Sequence, residues 1–290
     1  MTTVPIAPVL PGSCLCGAVR WEQRGPFLHV MHCHCSVCRK HHGSSFATYG
    51  ASPLDGFRWV TGADHQGRYD SSPTWYRPFC LSCGSVLPTM LPEHSVAVTP
   101  IGTLDGDPGV RPEGHMFAAS RAPWYDITDG LPTHDAYPPG SLGMAQPDRP
   151  REPAVTGCTR GSCACGQVRY EFEGPPIRML NCHCSRCRHA RSAAHATNLF
   201  VALDNFRFRQ GEDQVKDFQL PGARYFGVAF CTDCGGHVPR ISVERKAAVI
   251  PAGTLDDDPG MRPAAHIFVE SKASWFDITD PLPRFPAMPG

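Results

Sequence analysis

Fourteen of this chain's fifteen cysteines fall into two copies of one pattern, and nothing else in the 290 residues constrains the fold as strongly. The pattern is Cys-x-Cys, then Cys-x-Cys-x-x-Cys, then Cys-x-x-Cys-Gly. In the first copy it comprises Cys14 and Cys16, then Cys33, Cys35 and Cys38, then Cys80 and Cys83. In the second it comprises Cys163 and Cys165, then Cys182, Cys184 and Cys187, then Cys231 and Cys234. Thiols at such density serve as disulfides, as metal ligands or in chemistry. An odd total would strand one thiol in a full disulfide framework. The N-terminal "MTTVPIAPVLPGS" lacks the basic region and unbroken apolar stretch of an export signal. Reduced thiols in the cytoplasm, used for metal or catalysis, are therefore expected.

The copies belong to a larger repeat. "GSCLCGAVRW" (12–21) aligns with "GSCACGQVRY" (161–170), and "HCHCSVCRK" with "NCHCSRCRH", both 149 residues apart. "FCLSCGSVLP" and "FCTDCGGHVP" are 151 apart, and that offset continues through "GTLDGDPGVRPEGHMFAASRAPWYDITDGLP" and its counterpart. A net insertion of two residues separates the registers. This is duplication of a whole domain of about 125 residues, not a short solenoid repeat. The expected organisation is a tail (1–11), a first zinc domain (12–135), a Pro/Gly-rich linker (136–157) and a second zinc domain (158–290). Cys158, the odd cysteine, matches Val9 in the first copy and reads as a surface thiol.

Strand-like segments dominate. "GAVRWEQ" and "QVRYEFEG" alternate apolar and polar residues, "SVAVTPIG" and "AAVIPAGT" are β-branched and apolar, and "HIFVESK" alternates again. Helical periodicity is confined to a turn after "CSVCRKHH". The expected class is all-β, small antiparallel sheets tied by metal. A net charge of zero, with no basic stretch carrying interleaved aromatics, argues against nucleic-acid binding. No apolar run approaches the roughly 20 residues of a membrane helix, so no membrane partner is expected.

Seven thiolates per unit cannot make two closed four-ligand zinc sites, but they suffice for one closed site and one open one. Spacing alone does not force the grouping. The tight Cys33, Cys35 and Cys38 cluster can share one ion unaided, which leaves Cys14, Cys16, Cys80 and Cys83 for the closed site. By repetition, Cys182, Cys184 and Cys187 form the second open cluster, and Cys163, Cys165, Cys231 and Cys234 the second closed site. Zinc is the expected metal, up to four ions per chain with two structural and two open or labile; iron–sulfur is the rival. Three protein ligands plus one free position is the catalytic zinc pattern, and an exogenous thiol there would be held as thiolate. A nearby histidine could instead close the site. His34 and His183 are candidates, although a residue between two ligands on an extended segment points the other way.

At these residues the sequence resembles the glutathione-dependent formaldehyde-activating family, also called the GFA or CENP-V domain family, with its Mss4-like (β-tent) fold. The resemblance is carried by "GSCLCGAVRW", "CHCSVCRK", "CLSCG", "HMFAASRAPWYDITDGLP" and their second-unit counterparts. It implies a carbon–sulfur lyase similar to S-(hydroxymethyl)glutathione synthase, with glutathione or another small thiol as co-substrate and a small aldehyde as partner. It implies the same division into structural and catalytic cysteines. The tandem arrangement departs from the single-domain enzyme, and "HHGSSF" in the first unit becomes "ARSAAH" in the second.

Those loop changes, Gly43 to Ser192 and Phe46 to His195, suggest that the first unit carries most of the activity. They would matter if the loop shapes the substrate pocket and if Ser192 resists the backbone conformation Gly43 allows. Arg39 and Arg188 could pair with a substrate carboxylate. His115 and His266 could act as acid or base, although a core or turn role is the more ordinary one. Trp124 and Trp275 read as core, and Asp126 and Asp277 as local turn formers. The leading reading is a zinc-dependent carbon–sulfur lyase or synthase; the alternative is a non-catalytic zinc- or thiol-binding carrier or interaction module.

Overall fold

The computed structural model describes residues 9–141 and 153–289; the rest of the expected tail and linker lie outside the described residues. Short strands build nearly everything. In the first unit, Leu10–Ser13, Arg20–Gln23 and Phe57–Thr61 form a three-stranded antiparallel sheet. A second sheet runs in the order Thr133–His134, Gly114–Met116, His29–Cys33, Ala47–Pro53, Val96–Pro100, Thr89–Leu91. The second unit repeats both sheets, with His29–Cys33 replaced by Arg178–Cys182 and Ala47–Pro53 by Ala196–Ala202. Most pairs are antiparallel. The exceptions flank the cysteine-bearing strand: Gly114–Met116 lies parallel to both His29–Cys33 and Thr133–His134, and the second unit matches.

Two helices are present among the described residues, α1 (Ser36–His42) and α2 (Ser185–Arg191). Each starts at the middle cysteine of its cluster, whose Sγ accepts the N–H of the third, Cys38 to Cys35 at 3.3 Å and Cys187 to Cys184 at 3.4 Å. The thiol thus serves as the helix N-cap. Gly43 ends α1 in the left-handed conformation at φ 61°, and Ser192 ends α2 in the same conformation at φ 51°. The expectation that serine would resist this turn is corrected. The Ser192 hydroxyl donates to the Val86 carbonyl at 3.0 Å, which anchors the residue there. "HIFVESK" also departs from expectation. Its strand stops after His266–Ile267, because Phe268 turns left-handed (φ 57°) into a 3-10 turn at Val269–Ser271.

The two units pack as a pseudo-symmetric pair. Phe79 and Phe230 occupy matched positions and meet edge to face, with ring centroids 6.4 Å apart. Thr128 and Thr279, also matched, share a hydrogen bond of 2.5 Å. Contacts away from the axis come in pairs: Lys40 meets Asp256 at 2.5 Å while His189 meets Asp105 at 2.9 Å. Such reciprocity is the mark of an isologous interface, here formed within one chain. Gly102 and Gly253 permit the closest approaches. A Cβ on Gly102 would sit 2.3 Å from the Ala193 backbone, and one on Gly253 would sit 2.2 Å from the Ser44 carbonyl oxygen.

Candidate metal centres and the cavity beside one of them

All fourteen repeated cysteines come together as four clusters. Cys14, Cys16, Cys80 and Cys83 form one group of four and Cys163, Cys165, Cys231 and Cys234 another. Cys33, Cys35 and Cys38 form one group of three and Cys182, Cys184 and Cys187 another. Within each group the sulfurs lie within 4.8 Å of one another. Thiolates bound tetrahedrally to zinc at about 2.3 Å stand about 3.8 Å apart. The observed Cys14–Cys16 and Cys16–Cys80 sulfur separations are 3.4 and 3.7 Å, and the second unit gives 3.4 and 3.8 Å. The donor sets fit closed zinc sites. The Cys182–Cys184 separation of 3.6 Å fits three corners of such a tetrahedron.

Among the described residues, no histidine joins the three-cysteine groups. His34 points away from its flanking cysteines, and its Nε2 lies 2.8 Å from His115 Nδ1. His115 Nε2 in turn donates to the Asp129 carboxylate at 3.0 Å. With that proton placed, His115 Nδ1 accepts from His34 Nε2. The second unit repeats the chain as His183, His266 and Asp280. Burial pushes the His34 and His183 imidazoles down to about 3, so both are neutral near pH 7. His115 and His266, considered as acid or base, are thereby committed to a buried relay that ties the parallel strands together.

The surroundings of the two three-cysteine groups differ. In the first unit, Cys33, Cys35 and Cys38 are all at most 3% exposed. Arg77 is buried above them, with Nη1 donating to Cys38 Sγ at 3.5 Å and to the Tyr49 hydroxyl at 3.4 Å. Burial works against the Arg77 charge, but Cys38 and Tyr49 outweigh it and hold the guanidinium above its ordinary range. His42 Nδ1 donates to the Arg191 carbonyl, and Tyr49 OH donates to His42 Nε2 at 2.7 Å. Phe117 and Tyr137 complete the cover, their rings 4.8 Å apart.

In the second unit Cys184 is half-buried, and a cavity of about 300 Å³ reaches the cluster. Cys187, Arg191 and Asn198 are among its lining residues. Cys184 is pushed down to about 3 by its contacts with Cys182 and then Cys187. Val228 stands where the first unit has Arg77, Asn198 where it has Tyr49, and Arg191 where it has His42. A guanidinium is retained beside the cluster, but it comes from the helix, not from a strand. The cavity therefore lies in the unit opposite to the one expected to be active.

Ala190 and Arg191, at the start of the second unit's differing loop, line this cavity, but the rest of the loops after the clusters faces the other unit. Phe46 and His195 are buried in the interface with ring centroids 5.6 Å apart, Ser44 Oγ donates to the His195 carbonyl at 2.7 Å, and Ser45 bonds Thr197 at 2.9 Å. Arg39 and Arg188, expected to meet a substrate carboxylate, are also in the interface. Arg39 donates to the Gly253 carbonyl and Arg188 to the Gly102 carbonyl, each at 3.4 Å across the units. Trp124 and Trp275 are core residues as expected, each 2% exposed.

Arg77, Tyr49, Arg191 and Asn198 were not singled out from the sequence. Their signal is present nonetheless: they are mismatches between otherwise matched repeats, within a few residues of the shared cysteines or on the strands that flank them.

Residues 9–120 and 158–271 both match the family model of the glutathione-dependent formaldehyde-activating enzyme. A Halomonas elongata protein that carries the name of a glutathione-dependent formaldehyde-activating enzyme is 31% identical over 127 residues, covering 41% of this chain and 81% of that protein. A crystal structure of a Rhodobacter sphaeroides protein is similar at 27% identity, covering 35% of this chain and 91% of that one, with a TM-score of 0.29.

Proposed function

Because the chain belongs to the glutathione-dependent formaldehyde-activating enzyme family, we propose that it is a zinc-dependent carbon–sulfur lyase or synthase acting on adducts of a small thiol and a small aldehyde. Its working site is the second unit's cluster, and glutathione and formaldehyde are the pair the family suggests. The observation that carries this reading is the cavity of about 300 Å³ that ends on Cys187. That volume is at the lower end for small-molecule sites.

With zinc held by Cys182, Cys184 and Cys187, a fourth position would keep an added thiol ionised near neutral pH. The chain's own residues supply the rest. Arg191 sets a positive charge beside the cluster, and Val228 leaves open the space that Arg77 fills in the first unit. In the forward direction the thiol sulfur adds to the aldehyde carbon. The carbonyl electron pair moves to oxygen, and the proton released by the thiol ends on that oxygen. In reverse the carbon–sulfur bond breaks, the aldehyde carbonyl re-forms and the proton returns to sulfur.

By the same reading, Cys14, Cys16, Cys80 and Cys83 and their counterparts hold structural zinc. Burial of Cys33, Cys35 and Cys38 favours a second, non-catalytic role for the first unit, as a zinc-bearing module that completes the second. NMR exchange spectroscopy on glutathione and formaldehyde tests the proposal. Purified protein should speed adduct interconversion, and Cys184→Ser should abolish the effect. Thiol binding with no acceleration would identify a carrier or interaction module instead.

A further inference from the structure

Arg191 is 7% exposed, and its Nη1 has no hydrogen-bond partner. Its Nη2 reaches only the Asn198 amide oxygen, at 3.4 Å, and among the described residues no carboxylate pairs with it. Burial pushes it down to about 10, with Cys187 acting the other way, so it is still a cation near pH 7. A buried guanidinium with an idle donor is costly unless something satisfies it. Here it lines a cavity that Arg224, Arg240 and Arg245 also line. Arg240 is engaged by Asp217 and Gln219. Arg224 donates to Glu244 at 3.4 Å, and Arg245 lies against Tyr225, 4.3 Å from its ring centroid. Glu244 is the one acidic residue in the lining, so the lining carries a net positive charge.

We propose that this cavity is a carboxylate-binding site anchored by Arg191, and that the chain has one such site, not two. The thiol or aldehyde accepted at the second cluster then carries a carboxylate a short distance from its reacting atom. The planar guanidinium suits the two oxygens of a carboxylate, and the exposed Arg245 helps draw the anion in. The first unit has no equivalent. His42 replaces Arg191, and Arg77 spans the matching space to Cys38 and Tyr49. This inference rests on the reading that the second cluster takes an added thiol, and the test separates the two.

The test is isothermal titration calorimetry on the zinc-loaded full chain, with mercaptoacetate, 2-mercaptoethanol and acetate as probes. Mercaptoacetate should bind at one equivalent per chain, about tenfold or more tighter than 2-mercaptoethanol, the range of a charge-assisted hydrogen bond. Arg191→Gln should erase that preference, so that mercaptoacetate binds the variant no tighter than 2-mercaptoethanol does. Arg245→Gln, at an exposed position, should weaken the preference without threatening the fold. Equal affinity of the two thiols for the wild-type chain overturns the carboxylate site and leaves the thiol reading standing. A preference unchanged in folded Arg191→Gln, or two equivalents per chain, also overturns it. If neither thiol binds, the thiol reading falls, and acetate decides alone: binding lost in Arg191→Gln keeps the carboxylate site, and no acetate binding removes it. Should Arg191→Gln fail to fold, the wild-type preference decides.

Discussion

Trp124 and Trp275 stand at matched positions, and each is buried in the core of the other's unit. Trp124 packs in a cluster with Tyr170, Phe172, Met179 and Leu199, and Trp275 in one with Phe27, Val30, Phe46 and Ile101. The repeats have exchanged the segments that carry these tryptophans, much as domain-swapped dimers exchange elements, while the flanking strands Gly114–Met116 and Thr133–His134 stay in their own unit's sheet. Each unit therefore lacks part of its own core when separated, and duplication within one chain makes the exchange independent of concentration.

Truncating Trp124 should therefore damage the unit it does not belong to. We expect Trp124→Ala to cost about 3–5 kcal/mol, the usual range for a buried tryptophan. Hydrogen exchange should show the loss first in strands Arg169–Glu173 and Ala196–Ala202. Loss confined to the first unit would contradict the exchange. Gly253→Ala should be similarly harmful, since its Cβ would meet the Ser44 carbonyl.

Metal release should follow exposure. With up to four zinc ions bound, mild chelation should first remove the one on Cys182, Cys184 and Cys187, with circular dichroism unchanged. The ion on Cys33, Cys35 and Cys38 should leave late, because that group is sealed in a core it shares with Cys163, Cys231 and Cys234. Cys14→Ser and Cys231→Ser should prevent folding. Zinc sites of this kind supply about 10–16 kcal/mol of apparent affinity, comparable to or larger than a domain's whole net stability. Elemental analysis showing a single cooperative loss of all zinc would be the contrary result.

Acid should destabilise the interface through His195. Burial, with His183 and His266 close by, holds its imidazole well below the ordinary range. The folded state thus leaves it neutral while the unfolded chain takes up a proton below about pH 6.5. Stability falls as pH drops through that value, because the unfolded state binds the extra proton. His195→Phe, which installs the first unit's residue, should make the decline shallower by about 1.4 kcal/mol per pH unit. Denaturant midpoints of the two proteins between pH 4 and 7, the range implied by that shift, make the comparison. Parallel curves would mean that His195 is not held neutral.

The repeat and the outward turn of His34 and His183 were legible in the sequence through alignment and strand alternation, and the four cysteine groups through a count of ligands against what a closed zinc site needs. The interface was not. Phe46 and His195 look like pocket residues and Trp124 like a core residue of its own unit until the other unit is found around them, and Arg39 beside a ligand cluster looks like a substrate contact until Gly253 is found against it. The cavity beside the second cluster was not foreseen for the same reason. Within the segment that differs most between repeats, residues 192–195 face the other unit, while the cavity depends on Arg77 against Val228 and on His42 against Arg191. These substitutions meet only in three dimensions.

The most direct measurement compares thiol–aldehyde adduct turnover in Cys35→Ser and Cys184→Ser, each checked for folding by circular dichroism. Placing the working site at the cavity of the second unit requires that Cys184→Ser lose nearly all activity while folded Cys35→Ser keeps most of it. The reverse pattern, or equal half-losses, would contradict that placement.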